Sequence, residues 1–273
     1  MVMLKDLACI CGGRALRKHF EYFEAPRGET AFNLKNKDYY RAYYCCEACG
    51  HFIGGHELDL SDLYSGDYVD ATYGGVAGMK SWLEKILSLP QSQSDNAARV
   101  CRISDFAATR FGEGHRCNVL DVGAGIGVFP AALKKNGWSV TAVEPDERTV
   151  KHLRDCVNVE AFCENLFDLS PTQIGYFDLV TFNKVLEHVE YPAELLLKSS
   201  EFLTDGGAIY VELPDVAAST EGQGREEFFV EHHHVFSPAS FCILGERAGL
   251  SLAQLMRLRE PSNKFTLAGF FTK

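Results

Sequence analysis

The chain has 273 residues, a formal net charge of −10 and ten cysteines. An acidic balance of this size gives no electrostatic reason to expect nucleic acid, whose binders carry a basic patch, and Arg14, Arg17 and Lys18 are too few to form one. No apolar run approaches the roughly 18–20 residues of a membrane span. The first residues lack a signal peptide's apolar core, and cysteines without an export signal point to thiols and metal, so the cytoplasm is the expected compartment.

Residues 1–55 read as a small zinc-ribbon-like module. Cys9-Ile-Cys11-Gly-Gly and Cys45-Cys46-Glu-Ala-Cys49-Gly-His supply two thiol pairs, with Cys9, Cys11, Cys46 and Cys49 as the expected zinc ligands. The glycine after Cys49 lets the backbone turn so that amides point at the thiolates. Between the pairs, Tyr22, Phe23, Tyr39, Tyr40, Tyr43 and Tyr44 mark short strands. So small a unit buries little apolar surface, and metal would supply much of its folding free energy.

Residues 56–115 read as a tyrosine-rich loop followed by linking helices. Leu63-Tyr-Ser-Gly-Asp-Tyr68 and Ala71-Thr-Tyr73-Gly-Gly belong to the loop. Met79, Trp82, Leu83, Ile86 and Leu87 fall at helical spacing ahead of Pro90, predicting a helix over 78–89. Ser94 caps a second predicted helix over 95–110.

From residue 116 to 273 strand and helix patterns alternate, as in a doubly wound α/β sheet. Strands are predicted at 117–122, 138–143, 157–162, 177–183 and 206–213, with helices at 127–136, 146–155, 191–203 and 237–248. Two last strands, 250–258 and 264–272, turn at Glu260-Pro-Ser-Asn263 and suit a closing antiparallel β-hairpin, making seven strands.

The chemistry concentrates where the first of these strands ends. Asp121-Val-Gly123-Ala124-Gly125-Ile-Gly127 runs strand into glycine loop, and the next strand ends on Glu144-Pro145. A dinucleotide fingerprint sets a pyrophosphate on the helix N-terminus, and Asp121 would repel it. The ammonium of S-adenosyl-L-methionine would instead be attracted, and Glu144 can accept from both ribose hydroxyls. Glu164, Asn165 and Leu166 follow the third strand, where an acceptor can take an adenine amino group and Leu166 can pack on the ring. Asn183 and Lys184 leave the fourth strand beside the departing methyl group, with Glu187 and His188 behind them as pocket residues or helix braces.

Asp121-x-Gly-x-Gly-x-Gly127, Glu144, Phe177-Asp-Leu-Val and Leu186-Glu-His-Val189 resemble class I S-adenosylmethionine-dependent methyltransferases over roughly residues 75–273. With the cysteine module and Glu227-Phe-Phe-Val-Glu231-His232-His-His234-Val-Phe-Ser237, the chain is similar to bacterial sugar and natural-product methyltransferases with a zinc-binding N-terminus. That resemblance implies a sugar or nucleotide-sugar acceptor, with Glu231 and His232 at the substrate and Tyr68 or Tyr73 reaching in from the N-terminal side. Two departures stand against it. The first thiol pair is C-x-C rather than C-x-x-C, and the chain ends without the further substrate domain of the deoxysugar C-methyltransferases.

Independently of any family, a glutamate and three histidines past a cofactor-side strand can supply a general base near neutral pH, a metal site, or backbone braces. His232 and His234 share one side if that segment is extended. The remaining functional alternatives are an RNA or protein methyltransferase docking through the ribbon, and a cofactor-binding protein without catalysis. The acidic charge, and Asn183-Lys-Val-Leu in place of an Asn-Pro-Pro-Tyr motif, oppose the first.

Overall fold

The computed structural model describes residues 7–30, 39–58 and 74–273. Tyr68 and Tyr73 lie outside the described residues. The N-terminal part is a small antiparallel meander of β1 (Leu16–Tyr22), β2 (Arg41–Cys46) and β3 (Phe52–His56). Helices α1 (Val76–Leu87) and α2 (Asp95–Phe111) follow, and Ser94 caps α2 by accepting from the Ala97 amide at 3.1 Å, as the sequence predicts.

The remainder alternates as expected: β4 (Asn118–Val122), α3 (Val128–Lys135), β5 (Ser139–Val143), α4 (Glu147–His152), β6 (Glu160–Phe162), α5 (Pro171–Ile174), β7 (Phe177–Asn183), α6 (Pro192–Ser200) and β8 (Leu203–Pro214). The two-residue β9 (His234–Val235), α7 (Pro238–Arg247) and the hairpin β10 (Ser251–Arg259) and β11 (Phe265–Thr272) complete it. The seven-stranded sheet has the order β10-β11-β8-β7-β4-β5-β6. Its strands are parallel except β11, which runs antiparallel to both β8 and β10. This is the Rossmann-like architecture with a closing hairpin. Strand order reverses between β4 and β7, so a crevice forms beyond their carboxyl ends, where Asp121 and Asn183 lie.

Side-chain parity explains the layers. In β4, Val119 joins the core under α1–α4, while Leu120 and Val122 join the core under α6 and α7. In β8, Ala208 and Tyr210 face the first core, and Ile209, Val211 and Leu213 the second. Period-2 alternation therefore puts Glu212 on the Tyr210 face, beneath α2. Arg99 Nε donates to its carboxylate at 2.8 Å, Arg102 at 2.5 Å and the Tyr210 hydroxyl at 2.6 Å. Burial alone would raise the Glu212 carboxyl, but Arg99, Lys184 and Arg102 outweigh it and pull it down to about 2.

One strand is shorter than its pattern. The predicted strand 157–162 is only β6, because α4 runs on into a single π-turn over Leu153–Val157 and Asn158 turns out at φ 58°. A Cβ on Gly127 would sit 2.6 Å from Leu153 Cδ2 and 2.8 Å from Val157 Cγ2, so the widened turn packs directly on that glycine. Among the described residues, no helix is long and apolar enough to cross a membrane.

The ribbon is not closed on itself. A boundary at residue 55 falls inside β3, and β3 pairs with β9, a strand contributed by the histidine segment that the sequence reads as loop. Arg41, only 2% exposed, bonds Glu29 at 2.7 Å and the Phe228 carbonyl at 2.7 Å, and the Val230 amide donates to Glu29 at 2.8 Å. The Tyr43 hydroxyl donates to the His232 carbonyl at 2.5 Å. Sheet and histidine segment thus form one hydrogen-bonded unit.

Candidate active site

The glycine loop is shaped by contact with the segment leaving β7. A Cβ on Gly123 would meet Val185 Cγ2 at 2.7 Å, and Gly123 (φ +70°) and Gly127 (φ +78°) both hold left-handed backbone that side chains resist. Asp121 is buried at the floor of this loop, where its Oδ1 accepts from the Thr181 hydroxyl at 2.6 Å and Asn183 Nδ2 at 2.8 Å. Burial pushes its carboxyl up to about 7 against those donors and Arg99. Glu144 Oε2 accepts from the Gly125 amide at 3.1 Å, and burial pushes this carboxyl to about 7 as well. Two acids therefore flank Gly123-Ala124-Gly125. When ionised, this pair disfavours a phosphate and favours a cationic or hydroxyl-bearing group.

The segment after β6 forms a tight turn. Asn165 Oδ1 caps the turn at Leu166–Asp168 by accepting from the Phe167 amide at 3.1 Å. Leu166, expected against an adenine ring, belongs to the core, because the turn directs it inward and leaves Phe167 half exposed. Glu164 and Pro145 are exposed at the same sheet edge.

Lys184 adopts φ 61°, and its ammonium donates to Thr266 Oγ1 at 2.8 Å, with burial lowering its pKa. That bond ties it to β11.

The histidine run does not act as one cluster, since only His234 and Val235 are extended. His234 is corrected from the catalytic set. Its Nδ1 meets His51 Nε2 at 3.0 Å and its Nε2 donates to the Glu190 carbonyl at 3.3 Å, so both ring nitrogens are engaged in the interior. His233 stacks on His56 with ring centroids 6.3 Å apart. His232 goes elsewhere, edge-on to His188 at 4.7 Å between centroids. Burial lowers the pKa of both rings, His188 to about 4, which keeps His232 neutral and makes it a weak base. Glu231 packs beside them. Its carbonyl accepts from His188 Nδ1 at 2.9 Å, its Oε2 has no hydrogen-bond partner, and burial pushes its carboxyl to about 7.

Sequence reasoning passed over Thr181, Arg99 and Glu212. The available signal was a lone carboxylate in the apolar run Ala208–Leu213, which needs buried cations.

At the other end, the four thiols converge as predicted. Cys9 Sγ lies 3.4 Å from Cys49 Sγ, Cys11 Sγ lies 3.6 Å from Cys46 Sγ, and all four lie within 4.8 Å of one another. Zinc–sulfur bonds near 2.3 Å give a tetrahedral edge of about 3.8 Å, so the set fits a zinc ion held by four thiolates. The Gly13 amide donates to Cys11 Sγ at 3.3 Å, and backbone amides of Cys49 and Ala48 outweigh burial to bring Cys46 down to about 7. Closeness of the thiols, rather than C-x-x-C spacing, is what a zinc ion would require.

A family model described as a methyltransferase domain matches residues 87–255. Ubiquinone biosynthesis O-methyltransferase of Xanthomonas campestris pv. campestris is 34% identical over 98 residues, which are 34% of this chain and 41% of that protein. The match thus spans about two fifths of the curated relative's length. Among solved structures, 1,6-didemethyltoxoflavin-N1-methyltransferase of Burkholderia thailandensis, holding 1,6-didemethyltoxoflavin and S-adenosylhomocysteine, superposes with TM-score 0.56 at 18% identity over 89% of this chain and 99% of its own. Magnesium protoporphyrin IX methyltransferase of Synechocystis PCC 6803 with bound S-adenosylhomocysteine gives TM-score 0.55 at 14% identity over 79% and 100%. At these identities the structures speak to fold.

Proposed function

The chain belongs to the methyltransferase-domain family, and from that membership we propose that it transfers the methyl group of S-adenosylmethionine to a small-molecule acceptor. The observation carrying this reading is the pair of acids, buried Asp121 and partly buried Glu144, placed by β4 and β5 on either side of a glycine loop. Glu144 takes the ribose hydroxyls and Asp121 faces the amino-acid moiety. The acceptor lone pair attacks the methyl carbon in line, the carbon–sulfur electron pair returns to sulfur, and the acceptor's proton passes to solvent or a neighbouring base. The protein contributes orientation and exclusion of water.

The acceptor side lies over Asn183, Glu187, His188, Glu231 and His232, between the ribbon sheet and the carboxyl end of β7. The relatives' names span oxygen and nitrogen methylation, and the acceptor panel to be tested includes quinone precursors, heterocycles, and sugars or nucleotide-sugars. The ribbon's burial against residues 228–240 favours a structural clamp over a docking module for RNA or protein.

Calorimetry with S-adenosylhomocysteine tests the cofactor assignment. Glu144→Ala removes the acceptor of two hydroxyls and should weaken binding by at least about 100-fold, from two hydrogen bonds to a charged group at roughly 1.5–3 kcal/mol each. Asp121→Asn, which keeps the shape, should weaken S-adenosylmethionine more than a ligand lacking the amino group. Unchanged affinity in both variants would overturn the assignment.

Cofactor binding should also depend on pH. Both carboxyls hold protons up to about pH 7 in the folded protein, well above their unfolded values near 4. With raised pKa values, they reduce folding stability as pH climbs from about 4 to 7, and binding that needs the ionised forms releases those protons. Affinity for S-adenosylmethionine should therefore rise from pH 5.5 to 8, by up to about tenfold per unit per proton released. A flat profile would contradict it.

A further inference from the structure

Glu187 is the least explained side chain among the described residues. Its carboxylate is 1% exposed, and neither oxygen has a hydrogen-bond partner. Lys184, the cation nearest in sequence, is held by Thr266, and Glu212, which also faces Glu187, is held by Arg99 and Arg102. Leaving a buried carboxylate unmatched is costly, so such a group calls for a ligand.

The two rings beside it are oriented by the backbone. His188 Nδ1 lies 2.9 Å from the Glu231 carbonyl, and His232 Nδ1 lies 3.0 Å from the Glu227 carbonyl. A carbonyl oxygen only accepts, so each Nδ1 carries the proton and each Nε2 carries the lone pair. Metal-binding histidines are typically oriented in this way, the second nitrogen donating to a carbonyl or carboxylate. One ring nitrogen from each histidine and one Glu187 oxygen all lie within 4.8 Å of one another. Two imidazoles and a carboxylate whose oxygens have no hydrogen-bond partner thus gather around one partly buried point.

We propose that Glu187, His188 and His232 form a second metal site, distinct from the thiols, for one divalent first-row transition ion. Two imidazoles and one carboxylate favour manganese, iron, cobalt or zinc over magnesium and calcium, which prefer oxygen throughout. Three protein ligands leave positions open for an oxygen of the acceptor. This deepens the methyl-transfer reading and rests on it. An ion there would hold a hydroxyl acceptor beside the methyl donor and lower its pKa, the released proton passing to solvent. It also changes the part read for His232, from general base to ligand.

Manganese(II) is the probe, because it avoids thiolates and its free ion has a strong paramagnetic resonance signal. Titrated into the 273-residue chain loaded with zinc, it should bind at one ion per chain with zinc content unchanged. Glu187→Gln and His232→Ala should each weaken binding at least about tenfold, the range found even for outer-shell partners of a metal. Calorimetry with S-adenosylhomocysteine on the same samples shows that the variants remain folded and keeps the cofactor reading separate. The site is overturned if wild type binds S-adenosylhomocysteine but not manganese or cobalt, if both variants bind manganese as wild type does, or if manganese displaces zinc one for one. Failure to bind S-adenosylhomocysteine at all would instead defeat the underlying reading.

Discussion

Cys46→Ser, or zinc removal by a strong chelator, should disorder the ribbon sheet together with the histidine segment while β4 to β8 stay folded. Structural zinc contributes about 10–16 kcal/mol to the folding of isolated peptide sites. The ribbon has little core of its own, with Tyr22, Tyr43 and Phe52 packed on Phe228 and Val235 from the other side of the interface. Without the ion, the turn that holds Cys49 and Gly50 loses its anchor, and Ser237 loses its 2.5 Å bond to the Cys49 carbonyl. β9 is a two-residue strand whose sheet partner among the described residues is β3 alone. Hydrogen exchange should therefore rise in 41–56 and 228–237 and remain slow in β4, β7 and β8. Binding of S-adenosylhomocysteine should survive and turnover should fall. One zinc per chain in wild type, absent in Cys46→Ser, is the accompanying elemental result. Wild type without zinc, or an unchanged exchange pattern, would refute the role.

Glu212→Gln is the second large effect. The carboxylate is fully buried, and the side chains of its partners Arg99 and Arg102 are only 14% and 15% exposed. Removing one charge from such a group strands the others and costs about 3–5 kcal/mol, the lower end applying here because the arginines touch water. Glu260→Gln is the internal control. Among the described residues the Glu260 carboxylate meets one arginine, Arg102 at 2.9 Å, and burial already favours its neutral form, so the amide should cost far less. Urea unfolding should separate the two variants clearly, and equal midpoints would show that the network is not what fastens α2 to the sheet. The sign with pH follows from the depressed Glu212 pKa. Its contribution is complete above its unfolded value of about 4.3 and is lost as pH falls through about 2.

Most of the fold could be read in advance because its signals are local. Period-2 runs such as Phe177–Asn183 and a capped helical repeat such as Asp95–Phe111 need no distant partner to declare themselves. The pair Asp121 and Glu144 was legible for the same reason, each lying at the end of a recognisable strand. The histidine segment was not. Its conformation is set by Tyr43, Gly54 and Arg41, far earlier in the chain, and no spacing within Glu231–His234 encodes that. Whether Leu166 faces the core or the crevice is decided by a single turn, and the turn at Leu166–Asp168 buries it.

By itself, then, the sequence determined the alternating α/β sheet, the place of the glycine loop between two acids and the gathering of the four thiols. These depend on short-range periodicity, backbone freedom at glycine and charge sign. Only the tertiary structure decided that the ribbon sheet is completed by β9, that His234 is occupied with His51, and that His232 joins Glu187 and His188. Those outcomes depend on which surfaces bury one another. Burial is a property of the assembled chain, and it is burial that leaves Glu187 without a partner.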